Sequence, residues 1–270
     1  MRTFFFVLAV ATGSVLADGT CDTVKFKKYT LDAFSDYLGI TNNTDALWTD
    51  YTIFDRFILK QFAKPDGVDT IVKTCNGFSR FYQSMQGNEF CYSLEGILKA
   101  NPNADIESVY MVRGILAETD FKCGAGLGTI LRGDITCVQQ SIDQAFYALV
   151  DCKNVYEQNV KHDAQRACNH ANVLKLCYMA PFHLAKCRKD EALDTWWACN
   201  SEKRFAIQQF PTCQDQIECP ERPFGMMADY LKDHHRVNAD GSYTIISPST
   251  FQRVNGELVE TPGKEFIIRV

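Results

Sequence analysis

"CNHANVLKLCYMAPFHLAKC", from Cys168 to Cys187, carries three cysteines and two histidines. Structural zinc sites draw on paired ligands a few residues apart, such as C-x2–4-C followed by a second close pair. Here Cys168, Cys177 and Cys187 are separated by eight and nine residues, about a short helix each. His170 and His183 read as lying on different helices, and neither has an i, i+4 partner. The spacing suits one disulfide bridge per helix. The stretch therefore predicts covalent staples between helices and no metal centre.

The other cysteines extend this reading. Cys21, Cys75, Cys91, Cys123, Cys137, Cys152, Cys199, Cys213 and Cys219 bring the total to twelve, an even number, all before residue 220. The chain opens "MRTFFFVLAVATGSVLADG": a basic Arg2, a short apolar core, and Val15 and Ala17 at the cleavage positions. That pattern predicts a secretory signal over residues 1–17 and an oxidising destination, where twelve cysteines form up to six bridges. Their connectivity stays open, since roughly ten thousand pairings are possible.

Periodicity in this cysteine-rich part is helical. "TDALWTDYTIFDRFILKQFAKPDG" sets Leu47, Trp48, Tyr51, Phe54, Ile58 and Phe62 on one stripe, and "KPDG" ends it. A second stripe holds Val68, Ile71, Val72, Cys75, Phe78, Phe81 and Met85, and a third Ile106, Val109, Val112 or Arg113, and Leu116. "DITCVQQ" predicts a helix start, with Thr136 and Gln139 as a capping box. From it Val138, Ile142, Ala145, Leu149, Cys152, Tyr156 and Val160 run as one stripe. The next helix is expected to close at Pro181, and the one after it at Pro211. Beyond Cys219 the texture alternates like short strands, and Asn255-Gly256 is a hairpin-turn signal.

Composition excludes several roles. At 46% hydrophobic residues the chain can build a core, and its net charge of −5 leaves no basic patch for nucleic acid. No apolar run after the leader approaches the roughly 20 residues of a transmembrane anchor. "KCGAGLG" lacks the strand and the full glycine pattern of a phosphate loop. No G-x-S-x-G is present, and an even cysteine count leaves no spare thiol nucleophile. A glycosidase would need two acids. Asp45, Asp50, Asp55, Glu89, Glu95, Glu107 and Glu118 all fall on predicted helices, where each reads as a solvated-face charge. Trp196, Trp197, Phe205 and Phe210 could line an apolar pocket, with one tryptophan facing the core. His234-His235 reads as a solvated loop, and Asn42 in "NNT" is a glycan acceptor sequon.

The series from "FKCGAGLGTILRGDITCVQQSIDQAFYALVDC" through "ACNHANVLKLCYMAPFHLAKC" to "WWACNSEKRFAIQQFPTC" resembles the nematode-expanded secreted proteins catalogued as domain of unknown function 19. "TCNGFSRFYQSMQGNEFC" is similar to that family's region of closely spaced cysteines. It departs where Phe81 or Tyr82 stands in place of a further cysteine. The resemblance covers residues 21–219. It implies secretion and disulfides, and no activity.

The expectation is an all-α, disulfide-linked domain over residues 18–219, with a cysteine-free extension over 220–270 of short strands or disorder. Its expected role is that of a secreted, non-enzymatic module binding an extracellular protein or surface, without cofactor, catalytic residue, metal, nucleic acid or membrane anchor. The alternatives are a hydrolase with an unidentified carboxylate pair and a carrier of a small apolar ligand. A deep acidic cleft favours the hydrolase, and an enclosed apolar cavity of several hundred Å³ the carrier. An exposed aromatic patch without either favours the interaction protein.

Overall fold

The computed structural model describes residues 20–39, 45–66, 68–132, 135–185, 187, 192–221 and 224–269. The expected leader and the Asn42 sequon lie outside these residues. Twelve α-helices are described: α1 (Thr23–Leu38), α2 (Asp45–Thr49), α3 (Tyr51–Ala63), α4 (Val68–Ser84), α5 (Leu94–Ala100), α6 (Ile106–Cys123), α7 (Leu127–Leu131), α8 (Ile135–Gln144), α9 (Phe146–His162), α10 (Ala167–Ala185), α11 (Ala192–Gln209) and α12 (Phe224–His234). Five short strands follow: β1 (His235–Val237), β2 (Tyr243–Ile246), β3 (Thr250–Val254), β4 (Glu257–Thr261) and β5 (Glu265–Ile268). The domain is helical with a strand-bearing C-terminus, as its periodicity predicts.

Side-chain caps fix several helix starts. Asp22, Asp50, Ser93 and Asp105 each accept from a backbone N–H of the first turn that has no partner inside the helix. Asp50 also corrects the first predicted stripe. Its Oδ1 accepts from the Thr52 N–H at 2.9 Å, which ends α2 and opens α3 where one helix was expected. All six stripe residues are nonetheless buried.

Three further boundaries differ. The stripe from Val138 to Val160 is divided at Ala145 between α8 and α9, although Leu149 N still donates to Ala145 O at 2.9 Å. Thr136 lies inside α8, so it is no N-cap, and Gln139 is buried. Pro181 lies within α10, which continues to Ala185 and therefore carries both His170 and His183. A mid-helix proline costs about 3 kcal/mol. Here Pro181 is buried among Met179, Ala180 and Phe182, whose packing offsets that cost.

At the centre α6 packs along α11, and α11 along α10. Gly114 permits the first contact, because a Cβ there would stand 2.7 Å from the Phe205 ring. A second focus, where α1 packs on α4, joins Phe26, Phe34, Trp48, Phe54, Phe78 and Phe81, with neighbouring ring centroids 4.8–6.4 Å apart. Six bridges tie this frame: Cys21–Cys91, Cys75–Cys123, Cys137–Cys187, Cys152–Cys177, Cys168–Cys213 and Cys199–Cys219. The three cysteines of the opening stretch thus reach three different segments: α8, α9 and the turn Pro211–Cys213.

The C-terminal residues are ordered rather than loose. Strands β1, β2 and β5 form an antiparallel sheet in the order β1-β2-β5, while β3 and β4 form a hairpin. Asn255 (φ 52°) and Gly256 (φ 89°) make its turn in the left-handed conformation that this dipeptide tolerates. The hairpin docks on α9. Buried Asn159 donates to Ser249 O at 3.1 Å and accepts from Phe251 N at 2.8 Å. Lys264 Nζ reaches Asp151 Oδ1 at 2.7 Å. His234-His235 is no solvated loop, since His234 closes α12 with its ring stacked on Tyr230 and His235 opens β1.

Candidate functional site

Two of the acids expected on solvated faces lie in the core. Asp55 from α3 and Glu118 from α6 both receive Lys153 of α9, with Nζ–O distances of 2.6 and 2.5 Å. Glu118 is also paired with Lys122, one turn along α6. Glu202 of α11 is a third carboxylate, its Oε1 3.8 Å from Lys153 Nζ, beyond hydrogen-bond reach. All five side chains are at least nine-tenths buried. Phe62, Tyr178 and Trp197 surround the Lys122 ammonium at 5.3–5.8 Å, and Tyr178 and Phe205 the Lys153 ammonium at 5.0–5.4 Å.

Two ammoniums and two carboxylates balance without Glu202. Burial, and then the Glu118 charge, hold the Glu202 carboxyl well above the usual carboxylate range, which favours its neutral form. Burial opposes the charge on Glu118, but Lys122 and Lys153 outweigh it and lower its pKa. Burial likewise opposes the Lys153 ammonium, and Asp55 and Glu118 override it. These buried groups come from α3, α6, α9 and α11 and join the four helices at one point.

The surface offers a different place. Near one end of α6 a half-open groove of about 360 Å³ lies between α6, α9 and the end of α11. Glu107, Tyr110 and Met111 come from adjacent turns of α6, and Glu157, Val160 and Lys161 from adjacent turns of α9. Residues three and four apart share one helix face, so each helix presents a two-turn wall. Ala164, Gln209 and Phe210 complete it. Tyr110 and the neighbouring Ile106 are 41% and 50% exposed, which makes this rim an apolar surface open to solvent.

Polar groups on the walls are held in place. Lys161 Nζ lies 2.9 Å from Glu107 Oε2, bridging α9 to α6. The hydroxyl of buried Tyr51 donates to Glu157 Oε2 at 2.7 Å, with Asn154 Oδ1 at 3.0 Å. Burial and the Glu157 charge push the Tyr51 phenol far up, so it stays a neutral donor. Tyr51 N in turn donates to Ser108 Oγ at 3.3 Å, which seats the start of α3 on α6.

Two other depressions are more polar. One of about 460 Å³ is lined by Tyr82, Tyr92, Arg113, Leu116 and Asp120, and the Arg113 guanidinium donates to Tyr92 O at 2.6 Å. Another, of about 240 Å³, lies under the extension between α9 and Ser247–Lys264.

Of the expected pocket aromatics, only Phe210 lines the groove. Trp197 and Phe205 shield the buried lysines, and Trp196 packs at 5.9 Å against Phe121. Glu107 is the one candidate acid on the groove walls. Asp50 caps α3, and Glu89, Glu95 and the start of α2 at Asp45 lie elsewhere. Sequence reading missed Glu157 and Lys161, whose partners Tyr51 and Glu107 are 106 and 54 residues away. The core charges left no signal of their own, because α6 also carries Glu107, Arg113 and Asp120, and a Glu118–Lys122 pair at i, i+4 reads as an ordinary solvated-face pair. Among the described residues no three His, Cys, Asp or Glu side chains converge to hold a metal ion, and no helix is long and apolar enough to cross a membrane.

No family model matches the chain, and neither a curated protein nor a solved structure matches it.

Proposed function

We propose that the chain is a secreted binding protein without enzymatic activity, whose groove between α6, α9 and α11 seats a small, mainly apolar group. The groove itself carries this reading: about 360 Å³ is within the range of small-molecule sites, and its walls of Tyr110, Met111, Val160 and Phe210 suit an apolar body. Secretion is supported by the six bridges, which persist in oxidising compartments. The resemblance to the nematode secreted family belongs to this proposal.

A hydrolase gains no support from the groove's acids. Glu107 is paired with Lys161, and Glu157 accepts from Tyr51. The test is displacement of an apolar fluorescent dye from the secreted protein by small aromatic and aliphatic compounds. Saturable binding that Phe210→Ser weakens supports the proposal. Dye binding that is unchanged by Phe210→Ser and by Met111→Ser sinks it.

A further inference from the structure

The charge on the groove walls specifies what the apolar body should carry. Glu107 and Glu157 are two carboxylates facing one ammonium, Lys161. The Glu107–Lys161 contact of 2.9 Å cancels one of each. What remains is Glu157, and its partner is a phenol. A hydrogen bond from neutral Tyr51 orients the carboxylate and leaves its negative charge in place. Asp105, at the start of α6, and Glu157 itself also act on Lys161, so three carboxylates share that one ammonium and the net charge stays negative. Tyr110 and Phe210 complete the setting, because aromatic faces attract cations.

We infer that the groove binds small amphipathic amines, with the ammonium at Glu157 and the apolar body against Tyr110, Met111 and Phe210. This rests on the groove being the binding site. An anionic ligand would set its carboxylate beside Glu157, and Lys161, the one lysine among the described lining residues, is already paired. A neutral ligand would cover Glu157 without compensating its charge, which is costly as water is displaced. An amine replaces the lost hydration with a charge-assisted hydrogen bond.

Isothermal titration of the full secreted protein with three near-isosteric probes tests this: tryptamine, tryptophol and indole-3-propionate. Tryptamine is expected to bind about 10-fold more tightly than tryptophol, and indole-3-propionate more weakly than both. Glu157→Gln abolishes the difference between the two: tryptamine weakens, and tryptophol binds no more weakly than to the unmodified protein. Lys161→Gln, at a half-exposed residue outside the core, acts in the opposite direction and tightens tryptamine several-fold. Equal affinities for tryptamine and tryptophol, or a preference for the propionate, overturn the amine assignment while the groove stands. Failure of all three probes to bind the unmodified protein removes the groove as well.

Discussion

Lys153 on α9 and Asp55 on α3 are 98 residues apart in the chain, yet Lys153 Nζ lies 2.6 Å from Asp55 Oδ1 inside the core. The same ammonium holds Glu118 of α6, so one cation joins three helices. Desolvating these charges was costly, and only their mutual pairing offsets it. The pairing works as a register key: any slip of α9 against α3 or α6 leaves a bare charge in an aromatic shell.

Removing the cation should therefore be severe. Lys153→Met leaves Asp55 and Glu118 buried with one partner fewer, and the expected loss is about 3–5 kcal/mol. Urea unfolding followed by circular dichroism measures it. Adding Asp55→Asn should restore part of the loss. A double variant no more stable than the single one would mean that Asp55 does not depend on Lys153.

Glu202 gives the protein a pH dependence of defined sign. Its pKa in the fold is raised, whereas an unfolded glutamate titrates near about 4.3. Between those values the folded chain binds one proton more than the unfolded chain, so this residue's contribution falls as pH rises. The slope reaches about 1.4 kcal/mol per pH unit for one group. Glu118, lowered in the fold, acts oppositely and loses its contribution as pH falls through its own pKa. As pH rises from about 5, urea midpoints of the unmodified protein should fall relative to those of Glu202→Gln. Identical slopes would place Glu202 outside this titration.

The bridges make a prediction in mass. The oxidised protein should weigh about 12 Da less than its fully reduced form. Peptide mapping should then link Cys168 to Cys213, Cys177 to Cys152 and Cys187 to Cys137. Replacing Cys152 and Cys177 together by alanine should cost about 2–5 kcal/mol, because it removes the clasp between α9 and α10. Any linked peptide joining two cysteines of the stretch from Cys168 to Cys187 would contradict the arrangement.

Asn159 is the hinge pin of the C-terminal extension. Asn159→Ala strips Ser249 O and Phe251 N of their side-chain partner, at an expected cost of about 1–3 kcal/mol. Hydrogen exchange should accelerate in β3 and β4 while protection in α6 and α11 is retained. Loss of protection in both regions would show that the extension is integral to the core rather than docked on it.

Local chemistry wrote most of the helices into the sequence. The stripe from Leu47 to Phe62 is buried as its spacing implies, and Asn255-Gly256 turns a hairpin as its conformational freedom requires. Errors cluster where a neighbour overrides a local rule. Pro181 should have ended α10, but packing around it carries the helix on to Ala185. Asp50 lies within a stretch that reads as one helix, yet its carboxylate is short enough to cap α3.

The sequence by itself determined a helical chain whose twelve cysteines could all be bridged, because periodicity and spacing are properties of neighbours. The expected one bridge to a helix fails at α10, which carries both Cys168 and Cys177. Which cysteines pair was decided only by the tertiary structure, and so was whether a charge is solvated or buried. Glu118 and Lys122 look the same in sequence on a wet face or a dry one, one helical turn apart in either case. Their meaning comes from Lys153, which long-range packing of α9 against α3 and α6 delivers to the same point. The groove has the same origin. Glu107, Glu157 and Phe210 are unremarkable singly, and become one surface only where α6, α9 and α11 converge.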